Sequence, residues 1–125
     1  MQINDYRDLE VWQLGRSLVK EIYLLTRNYP KEERYGLTSQ MRRAAVSIPS
    51  NTAEGWGRHY TAEFVQFLRK ANGSRTELET QLILSQDLEL ATPLQVEPLL
   101  QQANTIGRKL LNLERSLQAR MAKGE

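Results

Sequence analysis

The residue types that most often carry enzymatic chemistry are sparse in this chain. It contains no cysteine and one histidine, His59. The lack of cysteine excludes disulfides, thiolate metal sites and a thiol nucleophile. His59 has no companion at a metal-ligand spacing and no partner that would make it a general base. We therefore expect no metal and no cofactor, and no small-molecule substrate is evident.

Paired carboxylates are the other candidates for acid–base work. Glu77 and Glu79 stand two residues apart, and on a helix that spacing points the two side chains to different sides. No glycine-rich phosphate loop follows a strand, because no segment alternates as a strand does. We expect a protein that is not an enzyme.

Charge is distributed unevenly along the 125 residues, although the formal net charge is only +2. Residues 34–75 hold seven basic and two acidic side chains, and residues 76–100 hold five acids and no base. Such segregation indicates charged surfaces for partners more clearly than the net charge does.

Apolar spacing predicts four helices, at about 8–28, 35–57, 61–91 and 93–121. The last is the most regular, with apolar side chains alternating three and four residues apart from Val96 to Leu117. Thr92 and Pro93 mark its start, with Gln95 as the third residue of a capping box. Thr61 is expected to cap the third helix. The pair Asn72-Gly73 is a turn signal, but the apolar register continues across it, so we predict one unbroken helix.

Pro49 lies inside the second predicted helix and cannot donate to the carbonyl of Ala45, so we expect a kink there rather than a stop. Short connections make neighbouring helices antiparallel. The predicted fold is all-α, a single domain over residues 1–125 with an up-down-up-down four-helix bundle.

Three strings carry a family resemblance: RRAAVSIPSNTAEGWGR at residues 42–58, EFVQFLRKANGS at 63–74 and ELETQL at 77–82. They closely resemble the four-helix-bundle family of proteins encoded by intervening sequences in 23S rRNA genes. Thr52 departs from the pattern, where an aliphatic residue is expected. The resemblance implies a protomer that assembles into a homopentamer. It also points to the accessory variability determinant proteins of diversity-generating retroelements, which bind a reverse transcriptase and RNA.

In the predicted bundle, the turn between helices two and three lies at the same end as the close of helix four. We expect that end to gather basic side chains, with acids at the other end. Such a surface attracts phosphate backbones, although solvated charges that favour the helix dipole would give the same pattern. The nucleic-acid-binding candidates are Arg58, His59, Arg69, Lys70, Arg75, Arg108, Lys109 and Arg115.

Arg42 and Arg43 are predicted to serve the fold instead. In an antiparallel pair that turns near residue 59, position 42 lies opposite about position 77. We therefore expect structural ion pairs from these arginines to Glu77 or Glu79, which would fix register more than stability.

Several side chains off the main apolar stripes are candidates for contact between copies. Gly73 lies on a polar line, where a glycine lowers helix stability by about 1 kcal/mol relative to alanine. Close approach of a neighbouring subunit would explain it, although simple tolerance of the glycine would do so equally well. Ser74, Gln81 and Ser85 interrupt the core stripe and are expected to be hydrogen-bonded internally. The oligomer-interface candidates are Val19, Leu24, Trp56, Gly73 and Leu111.

Two functions remain open from the sequence. The first is a non-catalytic pentameric scaffold that binds structured RNA, with a reverse transcriptase as a candidate partner beside it. The second is an oligomeric protein-docking module with no nucleic-acid role. The sequence shows neither a secretory leader nor an apolar run of membrane-spanning length, so we expect a cytoplasmic protein without a membrane partner.

Overall fold

The computed structural model describes residues 3–124. Its four α-helices are α1 (Glu10–Thr26), α2 (Leu37–Gly57), α3 (Thr61–Asp87) and α4 (Pro93–Ala122). Short 3₁₀ turns at Tyr6–Asp8 and Lys31–Glu33 precede α1 and α2. Within the described range no strand occurs, so the all-α prediction is confirmed.

The four helices form a square. Each packs against its two neighbours around that square, α1 on α2, α2 on α3, α3 on α4 and α4 on α1, whereas among the described residues the Cα atoms of the two diagonal pairs stay more than 8 Å apart. The apolar stripes predicted from spacing meet in the centre, where Leu18, Ile22, Met41, Leu78 and Ile106 are almost completely buried. This is the expected antiparallel bundle.

Pro49 sits within α2, and the helix continues on both sides of it as predicted. Its ring faces Gly15 of α1: a Cβ on Gly15 would lie 3.2 Å from Pro49 Cδ. The glycine in the α1 stripe therefore makes room for the proline ring at the α1–α2 contact. Thr52, one turn further along α2, is fully buried and donates its hydroxyl to the Ile48 carbonyl at 2.9 Å.

Helix α3 runs through Asn72-Gly73 without a break, as the register predicted. Two details at its ends were predicted wrongly. Thr61 is the first helical residue and not its cap, which is Tyr60 and makes no side-chain capping bond. The helix ends at Asp87 and not near 91, because Glu89 adopts a left-handed conformation with φ of 61°.

Helix α4 begins with the predicted capping box. The Gln95 amide donates to Thr92 Oγ1 at 3.3 Å, and the Thr92 amide donates to Gln95 Oε1 at 2.9 Å. Both bonds satisfy amides that the first helical turn leaves without a partner.

The polar residues of the α3 stripe are bonded only in part. Ser74 donates to Ser47 Oγ at 2.8 Å, and Ser85 donates to the sulfur of Met41 at 3.4 Å. Gln81 differs from the prediction, because its buried Oε1 accepts no hydrogen bond. The Ser47–Ser74 bond also fixes the antiparallel register of α2 and α3.

Within residues 3–124, none of the helices has both the length and the hydropathy that crossing a membrane requires.

Candidate nucleic-acid interface

The α2–α3 turn, the start of α1 and the end of α4 share one end of the bundle, here called the turn end. Arg58 and His59 lie in this turn, and His59 takes a left-handed conformation with φ of 65°. His59 also lines a cleft of about 380 Å³, which Trp56 and Phe64 line as well. The sequence prediction placed these two basic residues correctly.

Not all eight cationic candidates reach the turn end. Arg75 lies at the middle of α3, fourteen positions beyond its first residue, which is roughly 21 Å along the axis. Arg108 and Lys109 lie at the corresponding level of α4. The predicted single basic end is wrong for these three, because the helices are long and each residue advances only about 1.5 Å.

Arg75 is a packing residue. Its guanidinium lies over Gly107 of α4, where an added Cβ would come within 2.5 Å of Cζ. The same group donates to Asn72 Oδ1 at 2.9 Å and forms an ion pair with Glu79. Only 13% of the side chain is exposed. Such an enclosed and neutralised arginine fixes the α3–α4 contact and has little to offer a phosphate.

Three further candidates are paired with acids of the same chain. An ion pair on the surface contributes little stability, but its carboxylate reduces the positive charge that an approaching ligand meets. These pairs are Arg58 with Glu54 at 2.9 Å, Arg69 with Glu114 at 3.3 Å, and Lys109 with Glu10 at 2.9 Å.

Three exposed candidates have no carboxylate within ion-pair distance among the described residues: Lys70, Arg108 and Arg115. Lys70 Nζ lies 4.3 Å from the centroid of the Phe67 ring, and Arg108 donates to Thr105 Oγ1 at 3.2 Å. A cation against an aromatic face keeps its charge. Together with the exposed turn residue His59, these side chains are the part of the predicted site that remains available to an anion.

The predicted ion pairs of Arg42 and Arg43 do not form. Arg42 turns toward α1, where Nε donates to Thr26 Oγ1 at 2.9 Å and Cζ lies 4.4 Å from the Tyr23 ring centroid. Arg43 and Glu77 line the same α2–α3 groove but form no ion pair. The axial level was predicted well, since Ser47 meets Ser74 close by. The direction of each side chain around its helix was not, which is why position 42 faces α1.

The interface candidates separate into two groups. Val19 and Trp56 are partly buried against the chain's own core, and Trp56 makes an edge-to-face contact with Phe64 at 6.1 Å. Leu24 and Leu111 are exposed, and a Cβ on Gly73 would meet nothing within 4 Å. These last three remain accessible to a second molecule.

Sequence reasoning missed a set of exposed apolar side chains on the second half of α3 and beside it. Ile83 and Leu84 lie on α3 and Leu88 is its C-cap residue, and they are too few to resemble a second core stripe. For Ile83 and Leu84, the signal that could have found them is that they fall off the core register of that helix. The residues are Tyr35, Ile83, Leu84, Leu88 and Leu94.

The fold and the charge pattern define a class: an all-α four-helix-bundle protein with charged side chains on its outer surfaces. Among the described residues no cluster of three or more metal-ligating side chains occurs. A family model described as 23S rRNA-intervening sequence protein matches residues 7–112. The chain belongs to this family.

A solved structure shares the fold. It is the crystal structure of a protein of unknown function from the S23 ribosomal protein family of Bacteroides thetaiotaomicron. The two chains are 22% identical, with a TM-score of 0.75, over 83% of this chain and 97% of the other. At this identity the likeness concerns the fold alone. Comparison with curated proteins finds no match.

Proposed function

We propose that this protein is a non-catalytic homo-oligomeric scaffold that binds nucleic acid, and structured RNA in particular. The observation that carries the proposal is the set of three exposed cations without an acidic partner, Lys70, Arg108 and Arg115, among the described residues. Membership of a family encoded within rRNA genes agrees with RNA as the partner.

Repetition of the protomer makes these few cations effective. Each phosphate contact releases a counterion and lowers the slope of log affinity against log salt by about 0.7 to 0.9. Three contacts per protomer therefore give a slope of about −2 to −3, and a homopentamer that engages several protomers gives a steeper one. A reverse transcriptase bound beside the RNA is the form of this scaffold that the resemblance to retroelement accessory proteins suggests.

The test is RNA affinity of the purified oligomer across a salt series. The triple variant Lys70→Gln, Arg108→Gln and Arg115→Gln removes charge without touching any ion pair seen in the structure. We expect wild-type binding to a structured rRNA fragment to fall steeply with salt. The variant should bind more weakly at low salt and show a shallower slope.

A matched control removes the same charge elsewhere. Lys31, Arg34 and Arg43 are also exposed and without an acidic partner among the described residues. Changing these three to glutamine should leave the slope near wild type. Equal losses in both triple variants would mean that only net charge matters. No binding by an intact oligomer at low salt would refute the RNA proposal.

A second function is favoured by a different observation. Four of the eight cationic candidates are neutralised within the chain, while apolar side chains are exposed elsewhere. This arrangement suits a protein-docking module. If the oligomer fails to bind RNA, protein docking becomes the leading proposal.

A further inference from the structure

The outward side of α3 beyond Arg75 carries an apolar face of its own. Ile83, Leu84 and Leu88 are 50%, 43% and 61% exposed. Thr76, Thr80, Ile83 and Asp87 follow one another at intervals of four, three and four residues along this side of the helix. Leu84 and Leu88 lie beside that line. This set is called the α3 outer face.

The threonines of the α3 outer face are less polar than their type suggests. The Thr76 hydroxyl donates to the Gly73 carbonyl at 2.9 Å, and the Thr80 hydroxyl donates to the Thr76 carbonyl at 3.0 Å. With the hydroxyls bonded to the helix's own backbone, these exposed side chains offer a partner mainly their methyl groups. The α3 outer face therefore presents a more apolar surface than its residue types alone indicate.

Acids flank this face. Glu77 and Asp87 are exposed, and neither has a cation within ion-pair distance among the described residues. From residue 76 to residue 107 the sequence contains no lysine, arginine or histidine. A helix that covers the α3 outer face must bring both aliphatic side chains and positive charge.

The outward side of α1 has that chemistry. Its exposed apolar residues are Tyr23 and Leu24, at 41% and 42%. The exposed cations Arg16, Lys20 and Arg27 lie along the same line, and none of them has an acidic partner among the described residues. The positions 16, 20, 23 and 27 repeat the spacing of 76, 80, 83 and 87. This set is called the α1 outer face.

We infer that the α1 outer face of one copy packs against the α3 outer face of the next. Helices α1 and α3 lie at diagonal corners of the bundle, and the side chains of both faces are exposed, so both faces are available to a second copy. Their charges are opposite, both faces also carry exposed apolar side chains, and complementary charges set partner choice and orientation. The contact is heterologous, because each copy offers two different surfaces.

The register of the contact follows from contacts inside the bundle. Gly15 lies against Pro49, and Ser47 bonds Ser74, which puts Gly15 level with about residue 72. Lys20 is then level with about Glu77. Helices α1 and α3 run in the same direction, so a ring of copies about an axis along the bundle preserves these levels and brings that pair together.

This inference rests on the self-assembly in the proposed function and is independent of RNA binding. Two double variants test it: Lys20→Glu with Arg27→Glu, and Glu77→Lys with Asp87→Lys. We expect light scattering after size exclusion to show that each falls from the wild-type oligomer toward the 14.5 kDa monomer. A chain that carries all four substitutions exchanges the charges of the α1 and α3 outer faces, and that chain should recover the oligomer.

A control variant separates the effect of changing the net charge from the effect of changing these two faces. Arg108→Glu with Arg115→Glu changes charge by the same amount as the α1 double variant but lies on α4, and it should keep the wild-type mass. Far-ultraviolet circular dichroism establishes that every variant is helical.

The assignment of these two surfaces is overturned if both double variants remain oligomeric, or if the fourfold variant stays monomeric. If both double variants remain oligomeric, self-assembly itself would still stand. A wild-type chain that is monomeric at all concentrations would overturn self-assembly and this contact together.

Discussion

Gly55 occupies the tightest contact between α2 and α3. A Cβ built there would lie 2.6 Å from Phe67 Cβ and 3.0 Å from Phe64 Cδ1. Carbon atoms pack well at roughly 3.5 to 4 Å. Phe67 Cβ is fixed by its backbone, so Gly55→Ala forces the two helices apart by about 1 Å.

The expected cost is the balance of two effects. Overpacking a core typically costs about 1–3 kcal/mol, and a Cβ-to-Cβ clash belongs in the upper part of that range. Alanine recovers about 1 kcal/mol of helix propensity. The net loss is therefore about 2 kcal/mol in the free energy of unfolding, which lowers Tm by roughly 6–8 °C for a domain of this size.

The assay is thermal and urea unfolding followed by circular dichroism at one protein concentration. Gly73→Ala is the matched control, because the residue is in mid-helix and nothing lies within 4 Å of the position that its new methyl group would take. That substitution should raise stability by about 1 kcal/mol. The reasoning is refuted if Gly55→Ala is as stable as wild type, since the α2–α3 contact would then not be as close as described.

Two other substitutions test buried polar groups. Burial raises the pKa of the Tyr29 hydroxyl above its ordinary value of 10.0. The fold therefore favours the neutral phenol and should lose stability as pH rises above 10. Tyr29→Phe should flatten that decline in alkaline urea titrations, and an unchanged decline would exclude Tyr29 as its source. Thr52→Val should leave unfolding free energy within about 1 kcal/mol of wild type or raise it, because the Ile48 carbonyl keeps its helical amide donor; a larger loss would show that the hydroxyl is needed.

Spacing predicted the helices well because a helical stripe is a local property. The stripes of α1 and α4, the capping box at Thr92 and the continuity of α3 across Asn72-Gly73 all follow from residues within one or two turns. The end of α3 was predicted four residues too late, because Leu88 fits the apolar spacing although it is 61% exposed.

The candidate site was predicted less well, because ion pairing depends on directions around each helix. The sequence supplied the correct level for Arg42 opposite the middle of α3, yet the side chain turns to Tyr23 and Thr26. Arg75 has the same charge as Arg108, but only Arg75 faces Gly107 and is enclosed. No local pattern separates these two cases.

The sequence by itself determined the number of helices, their order and the stripe that each turns inward, because hydrophobic periodicity and capping are encoded over a few neighbouring residues. The tertiary structure alone decided which cations keep a free charge and which outer faces stay uncovered. Those properties arise where different helices meet, since a carboxylate neutralises an arginine only when packing brings the two side chains together.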